Sequence, residues 1–407
     1  MTAAGTIRTG RAGSALVLLL GIAVFFNYVD RGAIGIAAPL MTSELNLGPE
    51  AFGLVVSAFF WVYAPVQLFV GWLVDRFNVY RLMAAGVLLW ASGTFLTGLA
   101  AGFFSLLLLR ILLGVGETIA FPGGSKIITR HVPAERRGIA NAVLALGIAL
   151  GPAGGTLAGG LILASFGWRA IFFAFGMVTL LWLAPWYLAV PRGEGTSAPL
   201  ERRVAVKTLI GKWPLWAMSI AHVASNYVFY FLLSWLPLFL TRSRGLTIRE
   251  MTYIATLGYA AQAVAALTFG YVSDWWTRAG HSEAAVRRWM MVLGQLLAAV
   301  SVLGIAFARD PAVITLLLCL AGIATGALSL NIYAVAQMFA GPRAAGIWVG
   351  FQNAIGNLSG IFGPILTGFI VEDAGYNTAF VVTAMVASAG ALWWIWGVPR
   401  IQEIELD

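Results

Sequence analysis

Charge is scarce in this sequence. Only 10% of its 407 residues are Asp, Glu, Lys or Arg, too few to clothe a water-soluble globule of this size, and mean hydropathy is +0.87. Cysteine occurs once, as Cys319 within an apolar stretch, which excludes an intrachain disulfide and a thiolate metal cluster. Histidine occurs three times, as His131, His222 and His281, never at metal-ligand spacing. A Ser/His/Asp hydrolase set and the G-x-x-x-x-G-K-[ST] loop of an ATP-driven pump are both missing. The sequence therefore predicts no enzyme, no metal and no cofactor. Any work it does must draw on an ion gradient or on the gradient of its own substrate.

Long apolar runs are what the sequence has in abundance. Twelve occur, near 14–40, 52–74, 82–101, 103–129, 138–165, 168–190, 213–240, 250–274, 288–308, 311–339, 345–370 and 377–398. Each is long enough to cross a hydrocarbon core of about 30 Å as a helix, which excludes an outer-membrane barrel. The expected fold is an all-α polytopic membrane protein with twelve transmembrane helices. The first run is too long for a signal peptide, lacks its small-residue cleavage site, and should stay as a membrane helix. The net charge of +8 reflects topology and calls for no nucleic acid. Arg8, Arg76, Arg81, Arg130, Arg136, Arg137, Arg202, Arg203, Arg278, Arg287, Arg288 and Arg400 fall in loops on the amino-terminal side, whereas Arg169, Arg242, Arg244, Arg249 and Arg309 fall opposite. By the positive-inside rule both termini are cytoplasmic. The expected location is a plasma membrane, in a bacterium the inner membrane, crossed many times.

The longest polar interruption, 191–212, separates six runs from six. It reads as a cytoplasmic linker between an amino-terminal bundle, 1–190, and a carboxy-terminal bundle, 213–407. "GWLVDRFNVYR" from Gly71 and "GYVSDWWTR" from Gly270 each follow the second run of their half. "VPAERRG" and "AGPRAAG" each follow the fourth. The pattern of Gly71, Asp75, Arg76 and Arg81, with a weaker copy at Gly270, Asp274 and Arg278, resembles the loop signature of the major facilitator superfamily. The halves of such a repeat rock about a midplane site. Asp75, Arg76, Arg81 and Asp274 are the expected latches, the two acids accepting hydrogen bonds from neighbouring helix N-termini.

Few charges remain inside the membrane. Asp30 and Arg31 stand in the first span, and Arg110, Glu117 and Lys126 in the fourth. An ionised group at mid-bilayer costs at least about 2.5–3.5 kcal/mol, so these groups must face water or one another. Arg110 and Glu117 are seven residues apart, on nearly one face and roughly 10 Å apart along the axis, too far for a direct bond in a straight helix. Counted inward from the helix ends, Arg110 lies about as deep as Asp30. The expected pair is therefore Asp30 with Arg110, leaving Arg31 free to meet an anion and Glu117 as the group that loads a proton. Competition by an anion for either arginine would then link substrate binding to protonation. Lys126, near the end of its span, reads as a snorkelling structural residue.

"NYVDRGAIGIAAPL", "RILLGVGETIAFPGGSKIITRHVPAERRG", "FLLSWLPLFLTRSRGL" and "GFQNAIGNLSGIFGPILTGFIVEDAGY" are together similar to the anion:cation symporter family of that superfamily. Its members carry sugar acids such as galactonate and hexuronates, aromatic acids such as phthalate, sialic acid or glutamate. The resemblance implies that Asp30 and Glu117 carry protons and that Arg31 and Arg110 manage anion recognition. It implies a proton as coupling ion for most bacterial members and sodium for some relatives. Polar side chains on otherwise apolar faces are the expected substrate contacts: Tyr63 and Gln67, Asn226, Tyr227 and Tyr230, Gln262, Asn331, Asn353 and Asn357. His222 reads as a capped or solvated residue near the cytoplasmic end of its span, not as a proton carrier.

The reading is thus a secondary transporter for symport of a proton and a small organic anion, working in the lipid bilayer, as a monomer by superfamily habit. Two alternatives stand beside it. "GIALGPAGG" in the fifth span resembles the signature of drug:proton antiporters, although two intramembrane arginines repel cationic drugs. A spinster-like lipid transporter shares the acid–base pair and "GVGE". The organic acid itself is not fixed by the sequence.

Overall fold

The structure, a computed structural model, describes residues 11–133, 136–191 and 206–405. Most of the expected linker, with Arg192, Arg202 and Arg203, lies outside these residues, as do Arg8 and the side chain of Arg343. Regular structure among the described residues is helical throughout. Span 1 is Arg11–Glu44, span 2 Pro49–Arg76 and span 3 Val79–Thr97. Span 4 is a broken pair, Phe103–Glu117 and Ala120–His131; span 5 is Arg137–Phe166; span 6 is Trp168–Leu181 followed by Leu183–Ala189.

After a short helix, Val206–Ile210, span 7 runs Trp213–Leu238 and continues through a π-helical turn, Phe239–Ser243. Span 8 is Ile248–Arg278 and span 9 Glu283–Phe307. The helices Pro311–Gly356 and Leu358–Trp396 are each interrupted by a glycine of positive φ, Gly341 at 62° and Gly375 at 79°. Eleven helices are long and apolar enough to cross a membrane, the last of them Ala344–Trp396. The turn at Gly375 divides that one, so spans 10, 11 and 12 are 311–340, 342–374 and 376–396. This is the expected set of twelve.

Local chemistry sets the ends. Asn78 Oδ1 accepts the backbone N–H of Tyr80 and Arg81 at 3.0 and 3.1 Å and opens span 3. Thr247 and Glu250 form a reciprocal capping box at span 8. Asp310 caps span 10, with Pro311 in the first turn where a missing N–H costs nothing.

Packing differs between the two ends of the molecule. At the end remote from the termini, one apolar core draws on both sets of six spans, including Ile36, Phe52, Val55, Leu163, Phe231, Leu233, Trp235 and Phe380. Phe52 and Trp235 meet edge to face with centroids 5.2 Å apart, and Arg242 donates to Thr42 Oγ1 at 2.6 Å across the same seam. Backbones nearly touch there. A Cβ at Gly35 would collide with the Leu233 carbonyl, and one at Gly53 with the Pro364 carbonyl.

At the end carrying the termini, apolar packing splits. One core belongs to spans 1–6 with Tyr230 as the single buried outsider, and the other lies wholly beyond residue 206. Around Gly71, Gly346 and Gly350 there is open space. Among the described residues, a core drawn from both sets of spans thus forms at one end, while at the other Tyr230 is the one buried side chain shared.

Closure at that end depends on the absent side chains of Gly35 and Gly53. Gly35→Leu and Gly53→Leu should each wedge it open at a cost of about 1–3 kcal/mol, a change of roughly five- to a hundredfold in the open-to-closed ratio. A reporter cysteine at Ser234, with Cys319 changed to serine, should then react faster with an impermeant maleimide. Unaltered labelling in both variants would contradict the seam.

Candidate functional site

The site grows from one turn of span 1. Asn27, Asp30 and Arg31 are 0, 2 and 4% exposed, and the helix directs them to different neighbours. Asn27 and Arg31, four apart, share a face; Asp30 points about 100° away from Arg31. Arg31 reaches span 4, where its Nη2 and Nε donate to Glu117 Oε2 at 2.6 and 3.1 Å, and its Nη2 donates to Asn27 Oδ1 at 3.4 Å. The guanidinium lies over the rings of Tyr28, Phe59 and Tyr63, at 5.1, 4.8 and 4.8 Å. Charge-assisted hydrogen bonds and three aromatic faces thus replace the water that the cation gave up. Glu117 is fully buried and its Oε1 has no hydrogen-bond partner, so one carboxylate oxygen carries the whole contact.

The expected pairing of Asp30 with Arg110 is not what forms. Asp30 Oδ2 accepts from Thr179 Oγ1 of span 6 at 3.1 Å, while Arg31, expected to be free, holds the carboxylate of Glu117. Equal depth in two helices does not make neighbours. The angular position of Asp30 turns it toward spans 3 and 6, and only Arg31 faces span 4. Arg110 is buried over the Phe59 ring at 5.2 Å, with its Nε unpartnered. It is attracted by Glu117 and repelled by Arg31 without taking either carboxylate in an ion pair among the described residues.

Around this core the other candidates divide. Tyr63 stacks on Phe59 at 5.0 Å beneath Arg31, and Gln67, buried one turn on, has an unpartnered Nε2. Across the seam Tyr230 packs on Phe60 and donates to Asn357 Oδ1 at 2.6 Å. Asn357 Nδ2 donates to the Asn353 carbonyl at 2.7 Å, and Tyr333 donates to Asn353 Oδ1 at 3.1 Å. Tyr230, Asn353 and Asn357 thus belong to one polar lining across the seam from Arg31 and Tyr63.

Other candidates sit apart from that lining. Tyr227 packs on Gly363 of span 11. Gln262 lines a small cavity between spans 7, 8 and 10. Asn331 is tied down, its Oδ1 accepting from Arg287 at 3.0 Å and its Nδ2 donating to the Ala327 carbonyl at 2.8 Å. His222 is 2% exposed, not solvated, with its ring edge-on to Tyr333 and close to Gly356; Asn226 lies beside it.

Of the expected latches, Asp75 accepts from Lys126 at 3.4 Å, and Lys126 also donates to the Val74 carbonyl at 2.6 Å, fastening spans 2 and 4 together. Asp274 stands 3.8 Å from Arg287. Arg76 and Arg81 are exposed, Arg76 above the Trp72 ring. Sequence reasoning missed Asn27, which its four-residue spacing from Arg31 marks. It also missed Phe59, Thr179, Trp90 and Thr94, which no local pattern marks.

Comparison with known proteins now bears on this site. The Major Facilitator Superfamily profile matches residues 20–281 and 239–405. The chain belongs to the Major Facilitator Superfamily. Similar facilitators include a probable chloroplastic anion transporter of Oryza sativa subsp. japonica, 29% identical over 93% of this chain and 67% of that protein. Another is a probable galactarate/D-glucarate transporter of Bacillus subtilis, 28% identical over 96% of this chain and 93% of that protein. Among solved structures, a bacterial homologue of the human lysosomal transporter spinster, in an inward-facing and occupied conformation, superposes with a TM-score of 0.81 over 97% of both chains. At 21% identity that likeness establishes the facilitator fold. This chain is accordingly an all-helical, multi-pass membrane transporter of the superfamily.

The buried ion pair yields a stability test. Glu117→Ala strands Arg31 without its carboxylate and should cost about 3–5 kcal/mol, whereas removing both charges with Arg31→Met and Glu117→Met should cost less than the single change. Thermal unfolding in detergent measures the cycle; a Glu117→Ala protein as stable as wild type would refute the pair.

Proposed function

We propose that this transporter carries a small organic anion together with a proton by alternating access, its two six-span halves rocking about the Arg31–Glu117 site. The observation that carries the reading is the division of labour between two buried arginines. Arg31 is neutralised by Glu117 at 2.6 Å, while Arg110 lies beside them as a second cation with no carboxylate of its own among the described residues. A proton added to Glu117 removes the charge that restrains Arg31. Two guanidiniums then face the cavity, a setting matched to a carboxylate ligand. Anion entry and protonation favour each other, and by linkage the favour is mutual.

The lining opposite suits a hydroxylated acid. The phenols of Tyr230 and Tyr333 donate to asparagine oxygens, which leaves their own oxygens open to accept from substrate hydroxyls. Galactarate and D-glucarate, the acids in the name of the Bacillus subtilis relative, are the first compounds to try. With the basic loops taken as cytoplasmic, the seam closed at the far end makes this an inward-facing state in a bacterial inner membrane, with one chain forming the whole pathway.

Uptake into proteoliposomes tests the proposal. A proton gradient, and not a sodium gradient, should drive accumulation of one of these acids. Glu117→Gln should abolish the response to the gradient yet preserve counterflow, and Arg110→Ala should weaken binding by roughly ten- to a hundredfold, the scale of a lost charged hydrogen bond. Gradient-driven uptake surviving in Glu117→Gln would remove Glu117 from the coupling.

A further inference from the structure

Asp30 occupies a different compartment from its neighbour. Span 1 sends Arg31 to Glu117 of span 4 and Asp30 the other way, into a buried pocket between spans 3 and 6. Thr179, 1% exposed, supplies one hydrogen bond to Oδ2 at 3.1 Å. Trp90 and Thr94, four residues apart and so on one face of span 3, both act on the same carboxyl group. Yet Asp30 Oδ1, Trp90 Nε1 and Thr94 Oγ1 are each buried without a hydrogen-bond partner. Three complementary orphans, one acceptor and two donors, surround a single carboxyl group. In a site sealed from water each orphan costs about 1–3 kcal/mol, and small rotations of the carboxyl plane exchange which donor is satisfied.

The chemistry of the pocket selects its occupant. An ionised carboxylate accepts only, and it can use all three donors. An indole N–H has no lone pair to offer a metal ion, so Trp90 suits an anion beside it and disfavours a sodium ion. Glu117 on span 4 is the charged side chain that acts on Asp30. The ionisable residues of spans 3 and 6, Tyr80, Arg81, Arg169 and Tyr187, stand at the helix ends, span 5 has none beyond Arg137, and span 7 brings Tyr230, which faces Arg31.

We propose that Thr179, Thr94 and Trp90 are positioning residues that hold Asp30 in this pocket behind the substrate cavity and set the pH at which it exchanges a proton. The role rests on the proton-coupled reading above. Thr179 makes the formed bond, so its removal should alter the exchange most. Glu117 holds Arg31 and also acts on Asp30, so a change in the charge of Asp30 is felt by the Arg31 pair without contact with the substrate.

The test is the pH profile of gradient-driven uptake in proteoliposomes for Thr179→Val, Thr94→Val and Trp90→Phe, beside counterflow at saturating substrate. Thr179→Val should displace the profile by about one unit, a tenfold change in proton concentration, with counterflow unchanged. Thr179→Ser should restore it, and in an Asp30→Asn background Thr179→Val should add nothing. Should Thr179→Val fail to fold, Thr179→Ala, which removes the same donor with a smaller side chain, carries the same expectation, while Thr94→Val and Trp90→Phe, which break no formed hydrogen bond, should displace the profile less. Profiles that coincide with wild type in variants with normal counterflow would overturn the proposal. Wild-type uptake indifferent to a proton gradient would instead overturn the transport reading itself, an outcome the first control reveals.

Discussion

Everything in the amino-terminal half is arranged around keeping a guanidinium and a carboxylate out of water at mid-membrane. Arg31 and Glu117 have no solvent to fall back on, so the surrounding helices supply what hydration would have given. Span 2 offers ring faces, Asn27 an amide oxygen, and Arg110 a second positive charge that offsets the carboxylate from the other side. Apolar residues of the same volume would hold spans 1 and 4 together at least as well. The ionic contact is thus a poor way to build a scaffold and a good way to build something that responds to charge.

The second organising fact is the unequal closure of the two ends. A shared apolar core, glycines where main chains meet, and the Arg242–Thr42 bond seal the end remote from the termini. At the other end each half has its own core. The hydrogen-bonded asparagines and tyrosines lie between these regimes.

Most of the architecture was legible because membranes leave few options. Runs of apolar residues translate directly into spans, and the turn at Gly375 completes the twelve. The duplicated Gly–Asp loop signature and the intramembrane charges disclosed the superfamily before any coordinates. What the sequence withheld was rotation: residue depth along a helix is countable, but its azimuth relative to a neighbour is not. Asp30 was therefore matched with Arg110, its equal in depth, when its direction takes it to Thr179. His222 failed for a related reason. Its place near a helix end implied water, while the packing of Tyr333 and Gly356 around it excludes water. Asn331 is polar and intramembrane like Asn357, yet Arg287 and a backbone carbonyl hold it away from that lining, a fact visible only in three dimensions.

The partners of the buried charges all come from the first six spans: Glu117 for Arg31, Thr179 for Asp30, Val74 and Asp75 for Lys126. During synthesis, spans 1–6 enter the bilayer well before span 7 exists. Because Arg31, Asp30 and Lys126 find partners within it, that early half makes these contacts without the second, and spans 7, 8 and 11 then cover the face it leaves open. Assembly order and electrostatic self-sufficiency are in this way one and the same property of the chain.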